Sequence, residues 1–120
     1  MHRTFILFGA LAGFVGVALG AFGAHGLRSR LSPEMLAVFE TGVRYQMYHA
    51  LALLLVGAMA PALTARLVAI SGWSFIAGML LFSGSLYLLA LTDVRMLGAV
   101  TPFGGIAFLI GWAALAYAAI

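Results

Sequence analysis

From Thr4 to Ala24 the chain runs for about 21 residues without a single charge, and no other feature restricts its fold so tightly. In hydrocarbon the backbone finds no water, so such a stretch must satisfy its own N–H and C=O groups and becomes a helix. At 1.5 Å per residue it reaches roughly 31 Å, the thickness of a bilayer core. Of the 120 residues, 65% are hydrophobic and only 8% charged, against roughly 25% charged in soluble domains. The expectation is an all-α integral membrane protein forming a single transmembrane domain over residues 1–120. A signal peptide is the competing reading of this segment behind its cationic lead, Met1 to Arg3. It is disfavoured, because a signal core is only about 7 to 15 residues long.

Three further spans follow from the polar breaks. His25 to Leu31 interrupts the apolar pattern, and Ser32-Pro33-Glu34 then reads as a helix start: an N-cap serine, proline at the first position and an acid in the first turn. The helix predicted from Pro33 to about Ala60 is longer than the bilayer core. Residues 33–41 are therefore assigned to the interface and 42–60 to the membrane. Pro61 ends that helix, a third run covers residues 66–91, and Thr101-Pro102 marks the start of a fourth over residues 100–120. The predicted architecture is a four-transmembrane-helix bundle with an extended, partly interfacial second helix.

The first span carries a stripe of glycines, Gly9, Gly13, Gly16, Gly20 and Gly23, at alternating spacings of four and three. Near a 3.5-residue period these fall on one seam, and a seam without side chains admits a neighbouring backbone. A second small-residue seam, Ser71, Ser74, Gly78 and Ser85, lies on the third span and is expected to pack against the first.

The absence of cysteine excludes disulfides, thiolate metal sites and cysteine catalysis. No metal site is predicted. Six arginines against three acids are too dispersed for a nucleic-acid surface and suit phosphate headgroups, so membrane lipid is the expected partner. Arg28, Arg30 and Arg95 against Arg3 and Arg66 give a weak bias toward cytoplasmic first and third loops.

Polar residues with potential for chemistry collect on one side of the predicted bundle: His25, Arg28, Glu40, Arg44, Tyr45, Gln46 and His49, with Asp93 nearby. Glu40 and Arg44 stand four apart and can form an ion pair at headgroup level. Gly42, Tyr45, Gln46 and His49 share another face and point a polar stripe into the bundle. His49 is the deepest, and an ionisable residue at that depth requires partners. Trp73, Tyr87, Trp112 and Tyr117 read as packing or interfacial-belt residues.

The segments GAFGAHGL at Gly20 to Leu27, FETGVRYQMYHALALLLVG at Phe39 to Gly57, and LFSGSLYLLALT followed by LGAVTPFGG between Leu81 and Gly105 carry a family resemblance. The chain resembles a family of small bacterial inner-membrane proteins known as domain of unknown function 423, which has eukaryotic transmembrane relatives. The resemblance covers nearly the whole chain. It implies a four-span fold and a multi-pass location in the bacterial inner membrane, and it assigns no reaction, ligand or cofactor. Its signature falls on His25, Tyr45, Gln46 and His49.

Three classes of function fit these residues. The first is a structural or assembly protein that packs through its glycine seams, as a homo-oligomer or within a larger membrane complex. The second is a lipid- or quinone-binding protein using the His/Tyr/Gln/Arg cluster; haem held by His25 and His49 lacks an attachment motif. The third is a small transporter or channel, for which a deep carboxylate is missing. No enzyme is expected, since Ser83 and Ser85 have no base beside them.

Overall fold

The computed structural model describes residues 2–120; Met1, which opens the cationic lead, lies outside them. Among the described residues every regular element is helical: α1 (His2–His25), α2 (Pro33–Met59), α3 (Ala65–Gly78), α4 (Gly84–Thr92) and α5 (Thr101–Ala118). A π turn, Met79–Ser83, joins α3 to α4 without a break, and 3-10 turns at Ala60–Ala62 and Arg95–Ala99 precede α3 and α5. Three segments are long and apolar enough to cross a membrane by length and composition: His2–His25, Ala65–Thr92 and Arg95–Ala118. α2 has the length but is less apolar, because Arg44, Tyr45, Gln46, Tyr48 and His49 interrupt it.

The start of α2 follows its residues. Ser32 Oγ accepts a hydrogen bond from the Met35 N–H at 3.2 Å, and Pro33 occupies the first turn, where its missing N–H costs nothing. Thr101 behaves differently from the expected cap. Its hydroxyl lies 2.6 Å from that of Ser85, and α5 begins without a side-chain cap.

α1 and α2 form an antiparallel pair. Gly9 faces Ala50 and Leu54, Gly16 faces Met47 and Gln46, and Gly23 faces Phe39, so a heptad of glycines lets α2 side chains reach the α1 backbone. Gly20 touches Val43 less closely, and Gly13 faces open space. The glycine stripe is thus an intramolecular seam over four of its members, with Gly13 left open in a hollow beside α2.

The second seam packs differently from expectation. Gly78 receives Phe108, Ser71 lies beside Gly111, and Ser85 bonds Thr101, so this face meets α5 rather than α1. The reason is complementarity: α5 contributes its own glycines, Gly104 against the Phe82 backbone and Gly111 against Phe75. α1 reaches this helix mainly through Phe5, which is fully buried over Gly72 and meets Trp73 edge-on at 5.5 Å. Phe5, Leu53, Val56, Val68, Phe75 and Phe108 form the main core, and Leu27, Phe39 and Ala90 form a smaller one near the first and third loops.

Candidate functional site

α2 lies between α1 on one side and α3, α4 and α5 on the other, and its polar residues are distributed by this position. Gln46 is buried and joins three helices. Its Nε2 donates to the carbonyl of Ala12 on α1 at 2.8 Å, and its Oε1 accepts from the Tyr87 hydroxyl on α4 at 2.6 Å. A carbonyl only accepts, so the Ala12 contact fixes which end of the amide faces α1. The approach is open because Gly16 stands where a side chain would meet Met47 and the Gln46 amide.

His49 is also buried, one turn further along α2, and turns toward α5. Its ring stacks on Phe108 with centroids 3.5 Å apart and planes 7° from parallel. Trp112 Nε1 lies 3.0 Å from His49 Nε2, and His49 Nδ1 lies 2.8 Å from the Tyr45 carbonyl oxygen. An indole N–H can only donate and a carbonyl can only accept. The imidazole is therefore neutral with its proton on Nδ1, which donates to Tyr45, while Nε2 accepts from Trp112. Both ring nitrogens are occupied, so no lone pair remains for a metal or haem.

Of the other predicted site residues, Tyr45 joins this pair through its carbonyl and through a ring stacked on that of His49 with centroids 6.3 Å apart, and His25, Arg28, Glu40 and Arg44 do not. His25 and Arg28 are exposed at the end of α1 and the following loop, and Gly23 beside them is level with Phe39. From Phe39 to His49 is about 15 Å of helix, which separates the two histidines. Tyr45 is 38% exposed and packs its ring against Phe82 at 4.6 Å. Glu40 and Arg44 are exposed, and neither has an ion-pair partner within 4.0 Å among the described residues. The expected Glu40–Arg44 pair is not formed. Arg95 instead binds Glu34 at 2.9 Å and Asp93 at 3.2 Å, tying the third loop to the start of α2. Asp93 holds φ 57°, the left-handed residue that closes α4.

Three residues of this network were not predicted as partners. Tyr87 and Trp112 supply the donors that Gln46 and His49 require, and Ser83 donates to the Gly42 carbonyl at 2.6 Å from the π turn. A general signal for the aromatic pair exists: a Tyr or Trp that reaches an interior brings a hydrogen-bond donor that must be matched. Ser83 carried none, because its bond depends on the π turn presenting it to α2.

A groove of about 370 Å³ opens between α1 and the α3–α4 helix. Phe8, Leu11, Val15, Ile76, Met79 and Leu80 line it, and the Gln46–Tyr87 pair lies at its floor. Among the described residues no three His, Asp or Glu side chains converge as a metal site requires.

A family model described as "Protein of unknown function (DUF423)" matches residues 19–105. A UPF0382 membrane protein of Bacillus subtilis is 47% identical over 119 residues, covering 98% of this chain and 97% of the relative. One from Staphylococcus epidermidis is 48% identical over 118 residues, covering 98% and 96%, and one from Staphylococcus aureus is 48% identical over 110 residues, covering 92% and 89%. No solved structure matches. The relatives carry membrane-protein names, the chain has three long apolar helical segments, and the model match covers more than half of its length. On these grounds this chain is a membrane protein belonging to the DUF423 family of proteins of unknown function.

Proposed function

We propose that the protein is a multi-pass assembly protein of the bacterial inner membrane, a four-helix bundle in which α2 is the fourth span, functioning as a homo-oligomer or within a larger membrane complex. The observation that carries this reading is the use made of the interior polar groups other than Ser71, whose buried hydroxyl has no partner among the described residues. Gln46, His49, Ser83 and Ser85 each bond a neighbouring helix or its own backbone, so the polar stripe of α2 joins helices. Large apolar side chains face outward from every long helix, among them Phe14, Leu51, Leu80 and Leu109. Native mass spectrometry of the protein released from lipid nanodiscs tests assembly: the expected result is a defined oligomer or a stoichiometric complex. A monodisperse monomer both there and in mild detergent overturns the proposal.

A second reading, binding of a lipid or quinone, draws support from the α1–α4 groove, where Gln46 and Tyr87 put amide and phenol groups at the foot of an apolar wall. Extraction of co-purifying lipids, with Tyr87→Phe as the comparison, tests it; equal lipid content in both removes it. The transporter reading has less support, since Glu34, Glu40 and Asp93 are all exposed near helix ends or at the interface.

A further inference from the structure

The exposed residues of α2 fall on one face. Glu40, Arg44, Tyr48, Leu51 and Leu55 follow one another at spacings of four, four, three and four, and all are exposed. The face lies between the side of α2 that meets α1, through Phe39, Val43, Met47, Ala50 and Leu54, and the side that carries His49 toward α5. It is polar at one end and apolar at the other. Tyr48 and Leu51 are 54% and 57% exposed, and the Tyr48 hydroxyl, Glu40 and Arg44 make no side-chain hydrogen bond or ion pair among the described residues.

With α2 as a span, this face is costly in lipid. The register of Gly20 against Val43 and Gly23 against Phe39 puts Arg44 roughly five residues, or about 8 Å, inside the end of α1. A cation and a phenol at that depth require partners. Within the chain Glu40 is the available counter-charge, one turn nearer the interface, yet the two do not meet.

We infer that this face is the seam of a symmetric dimer, in which a second copy of the chain applies its own α2 and each Glu40 pairs with Arg44 of the other copy. This rests on the oligomeric reading above and names its interface. A two-fold axis along the membrane normal sets the two α2 helices side by side in the same direction, which produces the Glu40–Arg44 contact twice. The charges select this occupant because the acid and base stand a single turn apart, so each arginine side chain has to reach only about 6 Å along the axis to meet the acid of the other copy diagonally, twice by symmetry. Leu51 and Leu55 then meet their counterparts across the axis as a short apolar seam. A shallow hollow of about 470 Å³ beside Leu51, over the open position of Gly13, leaves room for side chains of the second copy.

The test exchanges charges between chains. Glu40→Arg and Arg44→Glu are each expected to weaken self-association in nanodiscs about tenfold or more, because like charges then face one another across the axis. Co-expression of the two variants under different affinity tags is expected to restore a mixed dimer. Within either variant chain positions 40 and 44 carry like charges, so recovery requires pairing between chains. Leu51→Cys in the otherwise unaltered, cysteine-free chain is expected to cross-link under mild oxidation, and Leu109→Cys on α5 is not. If both charge variants stay oligomeric, or Leu109→Cys cross-links in place of Leu51→Cys, this interface is wrong while the oligomeric reading survives. If the unaltered chain is monomeric, both fall. If Arg44→Glu is monomeric, mixing restores nothing and the variant loses co-purifying anionic phospholipid, Arg44 serves a lipid phosphate and the inference is overturned.

Discussion

At the scale of single residues, the two polar side chains that stand out on α2 differ in what holds them, and this separates the outcomes of replacing them. His49 combines a tight stack on Phe108 with two hydrogen bonds, so His49→Ala removes a ring from a filled space and leaves the Trp112 N–H without an acceptor. The expected loss is about 2–4 kcal/mol, the range of large-to-small core substitutions. Trp112→Phe keeps an aromatic ring against Phe75 and removes chiefly the hydrogen bond, for which about 1 kcal/mol is expected, the scale of interhelical bonds in lipid. Reversible unfolding in mixed detergent measures both, and a larger loss for Trp112→Phe than for His49→Ala contradicts the assignment. Gln46→Leu is the sharper case. Leucine fills a similar volume, but the Tyr87 hydroxyl loses its acceptor and the α1 contact disappears. Adding Tyr87→Phe is expected to recover part of the loss, because the donor left unmatched is then gone, leaving about 1 kcal/mol for the missing α1 bond. Full additivity of the two substitutions would show that they are not coupled.

The helical elements owe their contacts to where side chains are missing, and here sequence and structure agree on the elements more closely than on their pairing. Ser32-Pro33-Glu34 announces α2 because capping is local chemistry, and Thr4 to Ala24 announces α1 because its length and apolarity are sufficient. The π turn at Met79–Ser83 was not legible. It adds a residue to a turn in an apolar run that shows no proline or charge, and it answers Gly104, which lets α5 approach the Phe82 backbone from a distant part of the chain. The same cause hid the direction of the Ser71–Gly78–Ser85 seam, since a smooth face on one helix does not say which neighbour owns the matching side chains. Residue type alone puts His25 and His49 in one cluster for a related reason, whereas the antiparallel register of α1 and α2 separates them. The glycine stripe itself yields a test. Gly13 faces open space, so Gly13→Ala is expected to leave folding intact or to raise stability by up to about 1 kcal/mol through helix propensity. Gly23→Ala must displace the buried Phe39 ring and Gly104→Ala must displace backbone, so both are expected to be destabilising, the latter more severely. Equal tolerance at positions 13 and 23 in a thermal aggregation assay would refute the division of the stripe, and tolerance at position 104 would refute the close approach of α5 to the Phe82 backbone.

For the molecule as a whole, the four-span proposal turns on α2, which packs among three more apolar segments. Its polar run makes it the weakest candidate by composition, but composition counts residues without regard to direction. Gln46 and His49 are turned inward and bonded, while the side chains it exposes beyond Tyr48 are Leu51, Leu55 and Met59. α1, which is apolar enough to span on its own, lies along α2 from Gly23 opposite Phe39 to Ile6 opposite Gly57. That register is what supports the proposal that α2 traverses the same thickness of lipid as α1. On the four-span proposal the loops before and after α2 lie on opposite faces, and the weak arginine bias favours the cytoplasmic side for the first and third. In intact cells of the cysteine-free protein, Thr64→Cys is expected to react with a membrane-impermeant maleimide, whereas Ser29→Cys and Met96→Cys react only after permeabilisation. A peripheral α2 would leave positions 29 and 64 on one side with identical labelling, and the bundle would then have three spans. Because the bias rests on few charges, Arg28→Ala with Arg30→Ala is expected to produce a mixed population, with part of the Thr64→Cys signal becoming protected and part of the Met96→Cys signal becoming accessible in intact cells. An orientation unchanged by that pair of substitutions would mean that something other than loop arginines sets it.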